Sequence, residues 1–155
     1  MNDSDDLDDI DFAILRILGS HARISTTELS QRVGLSKTPV AGRVKRMERV
    51  GIITGYRAEL SAQKLGLEHV AFVQVSLSDT RERALRAFNE GVRGIAEVEE
   101  CHMIAGNFDY LVKVRTTDIT AYRRVLSEQI SQLPHVASTS TFVSMEPVRE
   151  RKSVL

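Results

Sequence analysis

Five cations, Lys37, Arg43, Lys45, Arg46 and Arg49, crowd into the stretch LSKTPVAGRVKRMERVGIITGY (residues 35–56) beside one acid, Glu48. Side chains of this type at this density neutralise phosphates and donate to base edges, the chemistry of a polyanion grip. An ordinary solvated helix face would carry the same residues. The whole chain is neutral, with 21 Lys+Arg against 21 Asp+Glu, but its charges are segregated. Residues 1–11 hold six Asp and no base; residues 12–60 hold nine bases and three acids, a net of +6 (9 − 3). Association responds to the local field more than to the total, so the basic block is the informative part.

A second candidate is GNFDY, Gly106 to Tyr110. Backbone N–H groups of such a loop can take a carboxylate and Asp109 an ammonium, and a free amino acid needs both. The same residues suit a plain hairpin turn, with Gly-Asn as the turn dipeptide and Asp109 bonded to local backbone. Catalytic constellations are harder to build. Cys101 and His102 are adjacent, but neighbours along a strand point to opposite faces and cannot serve each other as nucleophile and base. His21, His69 and His135 lack metal-ligand spacing, and no glycine-rich phosphate loop follows a strand. Neither an enzyme, a metal site nor a resident cofactor is expected. The single cysteine excludes an internal disulfide framework. Neither a secretory leader nor an apolar run of ~20 residues is present, so a cytoplasmic protein is expected.

The elements that must position these residues fall into two groups. Leu7, Ile10, Ile14 and Leu18 recur at helical spacing, with Asp8, Asp9 and Asp11 at the positive end of the helix dipole and Gly19 as a stop. Ser25 to Glu28 has the capping-box form and opens a helix carrying Leu29 and Val33. Gly34 breaks it, Leu35 plugs the core and Ser36 caps a third helix, with Pro39 in its first turn. Val40, Val44 and Met47 form that helix's apolar stripe, and Gly51 ends it. IITGYRAEL then alternates weakly, as a short hairpin or wing would. Two helices across a tight turn after a leading helix spell a helix-turn-helix, or else a generic three-helix bundle.

Beyond residue 60 the pattern changes. HVAFVQVSL, AEVEECHMIA, YLVKVRT and VASTSTFVSM read as strands. Leu85, Phe88 and Val92 mark one amphipathic helix, and Ile119, Tyr122, Leu126, Ile130 and Leu133 a second. The order is βαββαβ, a ferredoxin-like antiparallel sheet of four strands with two helices on one face. An RNA platform of this shape would expose aromatics along its central strands, where Tyr110 stands nearly alone. A metal carrier would need paired cysteines. A dimerising or small-ligand module remains. The expected class is α+β, with residues 7–60 as the helix-turn-helix, 61–68 as a linker, 69–148 as the βαββαβ domain and 149–155 as a surface or assembly tail.

The segments LDDIDFAILRIL, ARISTTELSQRVGLSKTPVAGRVKRMERVGIITGYRAEL, ECHMIAGNFDYLVKV, AYRRVL and LPHVASTSTFVSMEPV, in that order, resemble the Lrp/AsnC (leucine-responsive, feast/famine) family of transcription regulators. The likeness runs from about Leu7 to Val148. It implies a winged helix-turn-helix joined to an ACT-like ligand domain, also named RAM. It also implies dimers through paired sheets, octamers or larger discs, and amino-acid effectors bound between subunits. Carried over by position, the recognition helix begins at Ser36 and runs through Lys37, Thr38, Pro39, Val40, Arg43 and Arg46. With Lys45 and Arg49 of the basic block added, the expected DNA-binding residues are Ser36, Lys37, Thr38, Pro39, Arg43, Lys45, Arg46 and Arg49. Arg43 and Arg46 are the expected base readers and Lys37, Lys45 and Arg49 the phosphate contacts. The effector positions are Met103, Gly106, Asn107, Phe108, Asp109, Tyr110, Ile119, Phe142, Val143 and Ser144. Lys37 replaces a common Pro, and Asn107 replaces the Asp usual in the leucine-responsive branch. The resemblance implies a sequence-specific, nucleoid-associated regulator of amino-acid metabolism or transport genes. Leucine or another branched-chain amino acid is the first effector expected, with proline or alanine next. A nucleoid-like architectural DNA-binding protein is the alternative.

Overall fold

A computed structural model describes residues 7–150. The chain divides into two compact units that separate between Glu59 and Leu60.

The N-terminal unit contains α1 (Asp9–Ser20), α2 (Thr26–Val33) and α3 (Lys37–Arg49). Asp8 caps α1, taking the Asp11 N–H at 2.9 Å, and the Asp11 carboxylate reaches back to the Asp8 N–H. Gly19 does not end this helix, which runs to Ser20. Ser25 accepts from the Glu28 N–H at 3.1 Å, but the expected reciprocal bond is missing from this cap. The Glu28 carboxylate turns instead to Arg32, one turn on, at 2.7 Å. Gly34 adopts the left-handed conformation (φ 72) that closes α2 and permits the tight turn into α3. Ile14, Leu29, Val40 and Met47 form the buried centre, with Leu35 and Val44 packed against it. Residues 51–60 form no strand. The N–H groups of Ile52 and Ile53 both turn back to the Met47 carbonyl, at 2.9 and 3.1 Å, and their side chains join the helical core. Apolar burial thus replaces the expected hairpin.

The C-terminal unit is built from β1 (His69–Leu77), α4 (Glu82–Arg93), β2 (Val98–Met103), β3 (Tyr110–Thr116), α5 (Ile119–Glu128), a 3-10 turn (Ile130–Gln132) and β4 (Val136–Val143). The strands lie in the order β2-β3-β1-β4, with every neighbouring pair antiparallel. Ala71, Val73 and Val75 of β1 and Tyr110, Val112 and Val114 of β3 share one core with Phe88 and Val92 of α4 and Tyr122 and Val125 of α5. One sheet face is therefore covered by both helices. The second helix is shorter than its apolar spacing predicts. Gln129 leaves the helical region (φ −121, ψ −65), and the 3-10 turn then buries Ile130. Residues 61–68, the expected linker, fold as a turn held by bonds from Leu65 N to Ser61 O and from Leu67 N to Ala62 O. Residues 151–155, most of the expected tail, lie outside the described residues.

Candidate functional site

The basic residues of α3 divide into two sets. Taking about 100° per residue around the axis, Thr38, Gly42, Lys45 and Arg49 project within about 40° of the direction opposite buried Val40. Lys37, Lys45 and Arg49 are exposed, and among the described residues they make no ion pair. Ser36 is the N-cap of α3, yet its hydroxyl makes no capping bond and it is exposed with Thr38 and Pro39. Free N–H groups and a free hydroxyl at a helix N-terminus are suited to an anion. Gly42 sits in the middle of the helix, and nothing among the described residues lies within 4 Å of where a Cβ would stand, apart from its chain neighbours and the helix's own backbone.

Arg43 and Arg46 differ from the other three cations. Both lean to one flank and meet α1. Arg43 Nη1 lies 2.9 Å from Asp11 Oδ1 and 2.8 Å from Asp8 Oδ2, and Arg46 Nη2 lies 2.5 Å from Asp11 Oδ2. The backbone N–H of Asp11 and the Arg43 guanidinium hold the Asp8 carboxyl below its usual range. An Arg43→Ala change would therefore leave the buried Asp11 carboxylate with one partner fewer. On the other side of the helix, burial and the bond to Glu48 push the Tyr56 phenol up to about 12.

The effector positions also divide. Met103 pairs with Tyr110, Tyr110 with Val75, and Val75 with Thr139 across the sheet. Val143, by contrast, pairs with Ala71 and Ala71 with Val114. Met103 and the loop that follows it thus occupy one corner, while Phe142, Val143 and Ser144 occupy the opposite one. Three strand spacings across and four residues along put these corners about 19 Å apart. Ile119 follows the end of β3 on the second side. One protomer does not bring the two groups together, and a ligand the size of an amino acid cannot span them.

At the first corner the loop is anchored from below. Asp109 N donates to Val75 O at 3.0 Å, and Asp109 Oδ2 accepts from Leu77 N at 2.7 Å. Asp109 therefore bonds a neighbouring strand across the sheet, where its position in a turn suggests local backbone. Tyr110 is buried, with its ring 4.3 Å from that of Phe88. The N–H groups of Gly106, Asn107 and Phe108 donate to nothing among the described residues. Gly106 is not in the left-handed region, so the turn dipeptide does not form the tight turn expected of it. At the second corner Ile119, Phe142 and Val143 are exposed apolar side chains.

Other chemistry finds little support. Cys101 packs against the core while His102 is exposed beside Glu100. Among the described residues no three His, Cys, Asp or Glu side chains group as metal ligands, and no helix is long and apolar enough to cross a membrane.

Residues 7–54 match a winged helix-turn-helix DNA-binding model, and residues 70–154 match the Lrp/AsnC ligand binding domain. The chain is 60% identical to a proline dehydrogenase transcriptional activator of Rhizobium radiobacter, covering 95% of this chain and 94% of that protein. It is 45% identical to the leucine-responsive regulatory protein of Escherichia coli K12, over 94% and 88% of the two chains. A transcriptional regulator of Neisseria meningitidis, solved as a complex with L-Met, superposes with a TM-score of 0.91 at 30% identity, over 97% of each chain. The exposed cations of α3, the ligand domain that follows them and these likenesses lead to one conclusion: the chain belongs to the Lrp/AsnC family of DNA-binding transcriptional regulators and is not an enzyme.

Proposed function

We propose that this regulator controls a gene for proline breakdown and takes proline as its effector. Sequence resemblance put branched-chain amino acids first. The order is reversed here because identity to the proline dehydrogenase activator, 60%, exceeds that to the leucine-responsive protein, 45%. A switch for an enzyme that consumes proline is useful when it answers to that enzyme's substrate. Chemically, the ligand carboxylate would meet the free N–H groups of Gly106, Asn107 and Phe108. Its ammonium would turn to Asp109, and the ring would lie on Met103. Ile119, Phe142, Val143 and Ser144 of a second copy would close the site. The separation of the two corners supports a site shared between subunits, and hence at least a dimer. The sheet face away from the two helices, where Phe72 pairs with Phe142, suits pairing of two sheets, and an octamer is the assembly we expect. A ligand present at 100 times its Kd stabilises by about 2.7 kcal/mol. L-proline is therefore expected to raise the melting temperature more than L-leucine, L-alanine or L-methionine do. If none of the four raises it, the effector assignment fails. A response to leucine alone would remove proline.

On the DNA side, the observation that carries the proposal is the exposed, unpaired set Lys37, Lys45 and Arg49 on α3. Lys37, Lys45 and Arg49 are assigned to phosphates, with Ser36 and Thr38 at the helix N-terminus and Pro39 beside them. Arg43 and Arg46 are assigned to base edges through the donors their carboxylate contacts leave free. Work of this kind is done in the cytoplasm, on the nucleoid. Gly42 lets the duplex approach closely. Glycine inside a helix costs about 1 kcal/mol relative to alanine, and no neighbour among the described residues requires it. Gly42→Ala is therefore expected to raise stability by about 0.5–1 kcal/mol while weakening DNA binding. Urea unfolding and gel-shift titration of one protein stock read both effects. A stabilised variant that binds as tightly as before would remove Gly42 from the interface.

A further inference from the structure

We infer that Asp11 is a specificity-determining positioning residue of the DNA-binding unit, whose buried carboxylate presets Arg43 and Arg46 for DNA. The inference rests on α3 being the helix that reads DNA. The Asp11 side chain is 1% exposed, against 28% for Arg43 and 33% for Arg46. Both carboxylate oxygens are used: Oδ1 accepts from Arg43 Nη1, and Oδ2 from Arg46 Nη2 and weakly from the Asp8 N–H. Arg43 and Arg46 are one turn apart on α3, and 32 and 35 residues from Asp11 in sequence. One carboxylate on α1 thus fixes two successive turns of α3.

The geometry leaves both arginines able to work. A guanidinium carries five N–H donors in a rigid fork. Asp11 and Asp8 take those of Nη1 on Arg43, and Asp11 takes one from Nη2 on Arg46. The free edges border an open depression of about 480 Å³ lined by Asp8, Asp11, Pro39, Gly42, Arg43 and Arg46. That depression lies beside the bare backbone of Gly42. A base edge entering there meets donors already set at an angle.

Presetting has two consequences. Less rotamer freedom is lost when DNA binds, which favours the duplex whose acceptors fit. The two aspartates also offset the two arginines, which reduces the flank's attraction for phosphate in general. Asp11 therefore raises discrimination more than affinity.

The test uses the full chain. The wild type first selects a sequence from a random duplex library. That sequence and a scrambled duplex of equal length are then titrated at several salt concentrations with wild type, Asp11→Asn and Asp8→Asn. For Asp11→Asn, preference for the selected duplex is expected to fall about tenfold. The scrambled duplex should bind no more weakly, with a salt slope steeper by about 1 per subunit. Asp8→Asn keeps a good helix cap and loses the charge on Arg43 alone, so it should shift both quantities the same way by less. If melting curves show Asp11→Asn unfolded, Asp8→Asn decides. An unchanged preference in the folded variants overturns the inference. Proportional weakening on both duplexes with unchanged slope also overturns it, since that is what a merely structural role gives. A wild type that selects no sequence instead removes the assignment of α3.

Discussion

Replacing Lys37, Lys45 and Arg49 together with alanine is expected to weaken DNA binding by about a hundredfold or more near physiological salt, with the fold intact. The three side chains are exposed, and their loss breaks no ion pair within the described residues. Alanine is also the best helix former, so α3 itself does not suffer. Each removed phosphate contact releases about one counterion fewer. The slope of log affinity against log salt should thus become shallower by about 3 per subunit. Affinity for selected and scrambled duplexes should fall together, because phosphate contacts carry no sequence information. This is the opposite signature to that of Asp11→Asn, where preference falls and the slope steepens. Fluorescence anisotropy over a salt series reads both quantities. An unchanged slope would mean that α3 does not face the duplex.

Phe88→Ala is expected to destabilise the ligand-binding unit by about 3–5 kcal/mol. Phe88 is completely buried, and its ring is tilted 34° against that of Tyr110 at 4.3 Å. Truncation removes the transfer energy of the ring and leaves a cavity beneath the first residue of β3. Tyr110 ends the loop that carries the free N–H groups, so the loop should loosen as well. Urea unfolding followed by circular dichroism should show an early transition, and the melting shift with L-proline should shrink or vanish. A loss below about 1 kcal/mol would mean that the helix layer repacks around the gap.

Near-neighbour physics made much of this chain legible before its fold was known. β1 and β3 run where β-branched residues cluster, at His69–Leu77 and Tyr110–Thr116. Gly34 and Gly51 both take left-handed φ at the ends of helices. The misses have local causes too. The Ser25 cap lost its reciprocal bond to a competing Arg32. IITGYRAEL failed as a hairpin because adjacent Ile52 and Ile53 found a helical core to join. The apolar spacing of Ile130 and Leu133 was correct for burial, but it did not disclose that the helix changes pitch at Gln129.

The candidate residues were legible as a list, but not as an arrangement. Helical and strand periods, caps and charge runs are set by residues within a few positions of one another, so the sequence alone determined a helical first part with a basic third helix and the βαββαβ order of the second. Tertiary structure decided which cations are free. The Asp11 carboxylate reaches Arg43 and Arg46 across 32 and 35 residues, and no local period encodes so distant a pairing. It also decided that Met103 and Val143 stand at opposite corners of the sheet. Strand order is not written in any one strand, because it follows from how all four bury a common face.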